Sequence, residues 1–201
     1  MTSTFQDIAP GKVAMIVTAL EMTAPPPPRP ARAAGPFMVR RVGRPDLSWY
    51  RDLFRRIGTP WLWFSRLRMD DAALAAILHD KAVEVSALVV EGRDEGLLEL
   101  DFRVAGEVEL AFFGLTPPLI GRGAGRLLMD TALERAWAGR PRRVWVHTCT
   151  LDHPGALAFY RRSGFVPYRT QLEITDDPRL DGTLPETAAP HVPLIRPAAR
   201  G

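Results

Sequence analysis

Three glycines, Gly121, Gly123 and Gly125, recur at alternate positions in VELAFFGLTPPLIGRGAGRLLMDTAL, after an apolar run that ends at Leu115 and before an amphipathic stretch. A loop stripped of side chains in this way offers free backbone amides at the positive end of a helix, a ready site for phosphate or pyrophosphate. It is not a P-loop, because no Lys-Ser/Thr pair follows. Nor is it the dinucleotide fingerprint, because Gly-x-Gly-x-Gly lacks the glycine at the sixth place. Just upstream, Glu107 and Glu109 alternate with Val108 and Leu110, which puts both carboxylates on one face of a strand. A glutamate in an apolar strand is costly to bury unless paired or hydrated, and a raised pKa would suit it to accept a proton from a reacting group, directly or through water. Glu109 is the nearer of the two to the glycine loop; a solvent-facing residue is the other reading. His147 and Cys149 also share a strand face, which allows a Cys-His nucleophilic pair or, more simply, a thiol used as buried volume. His147, Asp152 and His153 match no common metal spacing, so no metal is expected.

These residues need elements to hold them. Val13 to Met22 reads as a strand. Leu47 to Ile57 has helical spacing after a capping Asp46, and Asp70 to Leu78 is a second short helix. Branched runs at Val83 to Glu91, Gly96 to Val104 and Glu107 to Leu115, broken at EGRDEG and VAGE, form an antiparallel meander. Gly123 to Trp137 is an amphipathic helix with Leu127, Leu128, Ala132, Leu133 and Ala136 inward. Arg143 to Thr150 is a strand, Pro154 to Arg162 a helix and Phe165 to Ile174 a last strand. The fold class is mixed α/β in a single domain over residues 1–201.

The glycine segment resembles motif A of the Gcn5-related N-acetyltransferase (GNAT) superfamily, Arg/Gln-x-x-Gly-x-Gly/Ala, through Gly123, Ala124 and Gly125, with Ile120 departing from its first position. HTCTLDHPGALAFYRRSGF resembles motif B through Ala156, Tyr160, Gly164 and Phe165, with His153 where asparagine is common. The resemblance implies a mostly antiparallel sheet splayed around an acetyl-CoA site. It further implies pyrophosphate on the amides of Arg122 to Arg126, pantetheine along Phe113, Gly114 and Leu115 like an extra strand, and the Tyr160 hydroxyl as the acid that protonates the leaving thiolate. Side-chain help lost at Ile120 must come from Arg122 or Arg126. Trp61 and Trp63 fall where the family builds its acceptor wall, core packing being the alternative. The implied activity is transfer of an acetyl group to an amine of a small molecule or of a protein, by direct attack in a ternary complex. The reading from another class is an acyl-CoA-binding sensor or interaction module without transfer.

Composition sets the outer bounds. With 46% hydrophobic and 24% charged residues the chain is ordinary globular protein, and no apolar run is long enough for a membrane span. A net charge of +3, with basic residues dispersed, does not indicate a nucleic-acid binder. One cysteine and no evident leader favour a cytoplasmic setting, and a homodimer is compatible with everything above. The 19 prolines cluster in residues 23–36, read as a polyproline connection or an SH3-type ligand, and in 175–201, read as chain lying over the surface or disordered.

Overall fold

The computed structural model describes residues 4–27 and 36–198. The polyproline expectation therefore lies, from residue 28 to 35, outside the described residues. Seven strands form one sheet in the order β2-β3-β4-β5-β6-β1-β7. They are β1 (Lys12–Met22), β2 (Phe37–Val42), β3 (Val83–Val90), β4 (Arg93–Asp101), β5 (Glu107–Leu115), β6 (Arg143–Cys149) and β7 (Val166–Asp176). The helices are α1 (Leu47–Gly58), α2 (Asp71–Leu78), α3 (Ala124–Trp137) and α4 (Ala156–Arg162). All neighbouring strands run antiparallel except β5 and β6.

Local chemistry starts the helices where the sequence suggests. Asp46 accepts the Trp49 N–H at 2.9 Å and Asp70 accepts the Ala73 N–H at 2.7 Å, each satisfying an amide that a helix's first turn leaves without a partner. The break between β3 and β4 is tighter than EGRDEG suggests. Glu91 (φ 50°) and Gly92 (φ 77°) make a two-residue turn with both residues left-handed, so Arg93 to Glu95 already belong to β4. Leu127 is turned outward, not inward: the buried stripe of α3 runs through Ala124, Leu128, Ala132 and Ala136 with Met129 and Leu133, and Leu127 sits about 100° round from Leu128. FMVRRV at β2 carries no expectation from its pattern, yet it pairs with β3 along six positions.

Helices α3 and α4 cover one sheet face, over Leu98, Leu100, Val108, Leu110, Val144 and Val146. On the other face α1 and α2 cover Val83, Val85 and Leu97. The remaining area of that second face, at Val13 and Met15, is covered by Leu184, Ala188 and Ala189 of the C-terminal segment. That segment is ordered because one side chain satisfies its carbonyls. Arg179, buried and paired with Asp177 at 2.7 Å, donates to the carbonyls of Ala188, Ala189, Val192 and Pro193. A chain without a strand or helix partner must find such donors if it is to pack.

Candidate active site

Strands β5 and β6 pair at only three positions, Glu107 with Arg143, Val108 with Val144 and Glu109 with Trp145. Beyond these, Glu99 of β4 pairs with Phe112 and Leu100 with Leu110, so Ala111 is an extra residue that bends β5 away from β6. The Thr116 N–H bonds the Glu95 carbonyl at 2.9 Å. By alternation Gly114 and Phe112 also turn their backbone groups to β4, and Phe113 and Leu115 turn theirs into the gap.

A cavity of about 750 Å³ fills that gap and is lined by Trp61, Trp63, Glu109, Phe113, Gly114, Leu115, Gly123, Gly125, Arg126, His153 and Tyr160. Residues singled out on four separate segments thus converge on one space. Arg122 and Ala124 do not line it: Ala124 is buried behind the first turn of α3. In the glycine loop Gly121 and Gly123 have φ of 81° and 87°, values that residues with a Cβ rarely adopt. The Arg122 and Arg126 amides are engaged within the loop, with the carbonyls of Leu119 and Gly123. Of the amides from Arg122 to Arg126, those of Gly123, Ala124 and Gly125 have no backbone partner among the described residues. The Arg126 side chain lies 3.6 Å from Asp130.

Glu109 stands at the apex of the gap, where the cavity meets a side pocket of about 270 Å³ lined by Asp101, Arg103, Val104, Glu107, Glu109 and Trp145. Burial first, then the Asp101 carboxylate, pushes Glu109 up to about 7; Glu99 acts in the same direction, and Arg66 and Arg103 oppose it. His147 Nδ1 is 3.7 Å from its carboxylate. Glu107, by contrast, is held by Arg143 at 2.8 Å and does not line the main cavity.

A charge network behind Glu109 has no counterpart in the sequence reading. Fully buried Glu99 accepts from Tyr50 and from Arg66, both at 2.5 Å, Arg66 lies over the Phe112 ring at 4.9 Å, and Arg103 pairs with Asp101. The signal in the sequence is a pair of acidic residues at alternate places near the end of β4, Glu99 and Asp101, facing the same side as Glu109.

Tyr160 lies among Phe113, Phe159 and Phe165, with ring centroids 5.8–6.2 Å away. No group among the described residues hydrogen-bonds its hydroxyl, and burial pushes its phenol well above the ordinary value, so it keeps its proton. Tyr160→Phe should therefore leave the melting temperature within a degree or two. With the hydroxyl as the acid that the motif B resemblance implies, turnover should fall, at similar donor affinity, by about tenfold to a hundredfold, the low end of general-acid effects. A matched pair of melting curves and single-turnover traces separates the hydroxyl's chemistry from its ring's packing.

The two tryptophans have different surroundings. Trp63 fits a slot between Gly58 and Gly114, where an added Cβ would come within 2.3 Å and 2.8 Å of its side chain, and its indole N–H donates to Asp152 at 3.1 Å. It is wedged in place. Trp61 packs edge-on against His153 at 5.2 Å and His191 of the C-terminal segment at 6.1 Å. His153 Nδ1 accepts the Gly155 N–H at 2.9 Å, so the neutral ring carries its proton on Nε2. Cys149 faces the cavity, but burial pushes its thiol up to about 11, far from the thiolate that a nucleophile needs. Asp152 is committed to Trp63, Thr148 and the Cys149 amide.

The model of the acetyltransferase (GNAT) family matches residues 46–165. Among solved structures, a GCN5-related N-acetyltransferase from Sphaerobacter thermophilus is similar at TM-score 0.55 and 19% identity, over 84% of this chain and 53% of that one. An aminoglycoside acetyltransferase from an uncultured soil metagenomic sample is similar at TM-score 0.54 and 18% identity, over 64% of this chain and 88% of that one. A conserved protein of unknown function from Staphylococcus epidermidis is similar at TM-score 0.54 and 14% identity, over 83% of this chain and 63% of its own. This chain therefore spans just over half the length of the Sphaerobacter protein and under two thirds of the staphylococcal one. No curated protein matches the sequence.

Proposed function

The chain belongs to the acetyltransferase (GNAT) family; from this premise we propose that it is an N-acetyltransferase that moves an acetyl group from acetyl-CoA to a primary amine by direct attack within a ternary complex. The observation that carries the reading is the gap itself. One cavity holds a helix start with free amides at one end, unpaired strand amides along one wall, and a carboxyl with a pKa of about 7 at its apex.

The donor's pyrophosphate suits the amides of Gly123, Ala124 and Gly125. Its pantetheine arm suits the outward backbone groups of Phe113 and Leu115. A backbone N–H aimed at the thioester oxygen stabilises the charge that develops there, worth a few kcal/mol in a water-poor site. Glu109, as carboxylate, takes the proton from the ammonium of the acceptor; because it borders the side pocket as well, that proton has a route to solvent. The amine attacks the carbonyl carbon, the C–S bond breaks as the Tyr160 hydroxyl protonates the departing thiolate, and the second proton shed by the nitrogen as it becomes an amide returns to the phenolate through water. The acceptor is an amine of a small molecule or of a protein, meeting the donor in the part of the cavity walled by Trp61, against which His191 of the C-terminal segment packs. A cytoplasmic setting suits this coenzyme.

Acetyl-CoA should stabilise the protein by about 2.7 kcal/mol at one hundred times its dissociation constant. Differential scanning fluorimetry with acetyl-CoA, longer acyl-CoAs, NAD and ATP checks this, followed by thiol release over an amine set that includes an aminoglycoside. Equal shifts with all the nucleotides would reduce the loop to a generic anion site. Acetyl-CoA binding with no transfer to any amine would favour the sensor reading.

A further inference from the structure

The sheet has two edges, and they are built differently. β2 is six residues long and carries Arg40 and Arg41, held to Asp94 of β4 and Glu84 of β3. Short, charged strands of this kind discourage further pairing. β7 is eleven residues long, exposed along nearly its whole length, and apolar on the face it shares with Ile16: Ile16 is 43%, Leu172 45% and Ile174 41% exposed.

The hydrogen-bond phase shows which groups this edge leaves open. The Asp177 N–H bonds the Gly11 carbonyl, and the Thr150 N–H bonds the Ile16 carbonyl, both at 3.0 Å. Backbone groups alternate along a strand, so odd-numbered residues of β1 face β7 and even-numbered ones face β6. Val17 stands opposite Gln171 and Met15 opposite Glu173. Gln171 and Glu173 therefore turn their backbone groups inward. Thr170, Leu172 and Ile174 turn theirs outward, to no strand among the described residues. Only the far end is closed, where Arg68 binds the Asp176 carbonyl.

We propose that β7 pairs antiparallel with β7 of a second copy of this chain about a two-fold axis at Gln171, joining two sheets into one. The argument is charge complementarity in that register. Arg169 and Glu173 flank Gln171 by two residues on the same face, and neither makes an ion pair among the described residues. About an axis at Gln171, Arg169 falls opposite the partner subunit's Glu173, and Glu173 opposite the partner subunit's Arg169. Both pairs occupy sites whose backbone bonds point away from the new ladder, which is where opposed side chains come closest. The outward groups of Thr170 and Leu172 meet in the bonded sites between. On the other face the same register sets Leu172 opposite the partner subunit's Thr170 and Ile174 opposite the partner subunit's Tyr168, itself exposed, and the two-fold repeats both contacts, as a symmetric interface requires. Glu173 lines the main cavity, so the partner subunit's Arg169 stands at the mouth of the acceptor site.

Sedimentation velocity of the full chain at micromolar concentration tests the register. The parent should sediment as a dimer. Arg169→Glu sets glutamates against glutamates twice, and Glu173→Arg does the same with arginines, so each should weaken the dimer about tenfold or more. The double variant R169E/E173R swaps the charges and should restore it. All four side-chain changes lie on exposed positions, and near-UV circular dichroism checks that the fold is kept. A monomeric parent, a dimer indifferent to both single reversals, or a double variant that stays dissociated would each overturn the proposal. None of these outcomes depends on whether the protein transfers acetyl groups.

Discussion

Glu109→Gln should lower kcat/KM for the best amine by about a hundredfold or more between pH 7 and 8, within the range of general-base effects, with acetyl-CoA affinity nearly unchanged. The size of the loss should depend on pH in two directions. Below about 7 the parent's own Glu109 becomes protonated, so parent and variant converge. Towards the pKa of the amine the acceptor sheds its proton unaided, and they converge again. A pH profile of both proteins checks this, and a deficit that stays constant would make Glu109 a positioning residue. Stability gives an independent readout. The folded pKa lies above the unfolded value of about 4.5, so the fold favours the neutral acid. The cost of carrying the carboxylate is absent below about pH 4.5, grows through the interval, and is complete above about 7. Glutamine escapes that cost, so the variant should melt higher than the parent at pH 8 and alike at pH 4.5.

Gly125→Val should abolish acetyl-CoA binding in a protein that remains folded. A Cβ at Gly125 would meet only Leu115 and Phe159, at 3.6 Å and 3.8 Å, ordinary contact distances, and its φ needs no glycine. The valine methyls would instead stand in the cavity, over the amides proposed to hold the pyrophosphate. Gly123 is a poorer probe, because at φ 87° any side chain also strains the loop. Calorimetric titration should find no heat of binding in the variant, beside a melting curve like the parent's. Unchanged affinity would put the coenzyme elsewhere.

What was legible in the sequence was local. Asp46 and Asp70 announce their helices through caps a few residues away, and Gly123, Gly125 and Tyr160 sit in short segments whose spacing carries their meaning. What escaped depends on pairing across the sheet. Arg66 follows Trp63 in an irregular stretch, and only the fold brings it to Glu99, 33 positions on. Asp101 and Arg103 read only as part of the strand run Gly96 to Val104, and it is the pairing of Asp101 with Glu109 across the sheet that sets them around that carboxyl. The C-terminal segment looks like loose chain because its prolines exclude regular structure; that Arg179 would satisfy its carbonyls is a long-range fact. Trp61 and Trp63 are equal in sequence, and only the slot between two glycines separates a wedge from a wall.

The three residue pairs that join β5 to β6 make the sheet mechanically two plates fastened at one corner. β2 to β5 form one plate and β6, β1 and β7 the other, each stiffened by its own ladders. Away from that corner, the indole of Trp63, packed on Phe112 of one plate and bonded to Asp152 beyond the last strand residue of the other, acts as a strut across the opening. The plates share the core under α3 and this strut, but fewer ladder bonds resist bending between them than within either. A thioester arm lying along β5 would take up part of the load of the missing ladder, so the stiffness of the molecule would itself report whether the gap is filled.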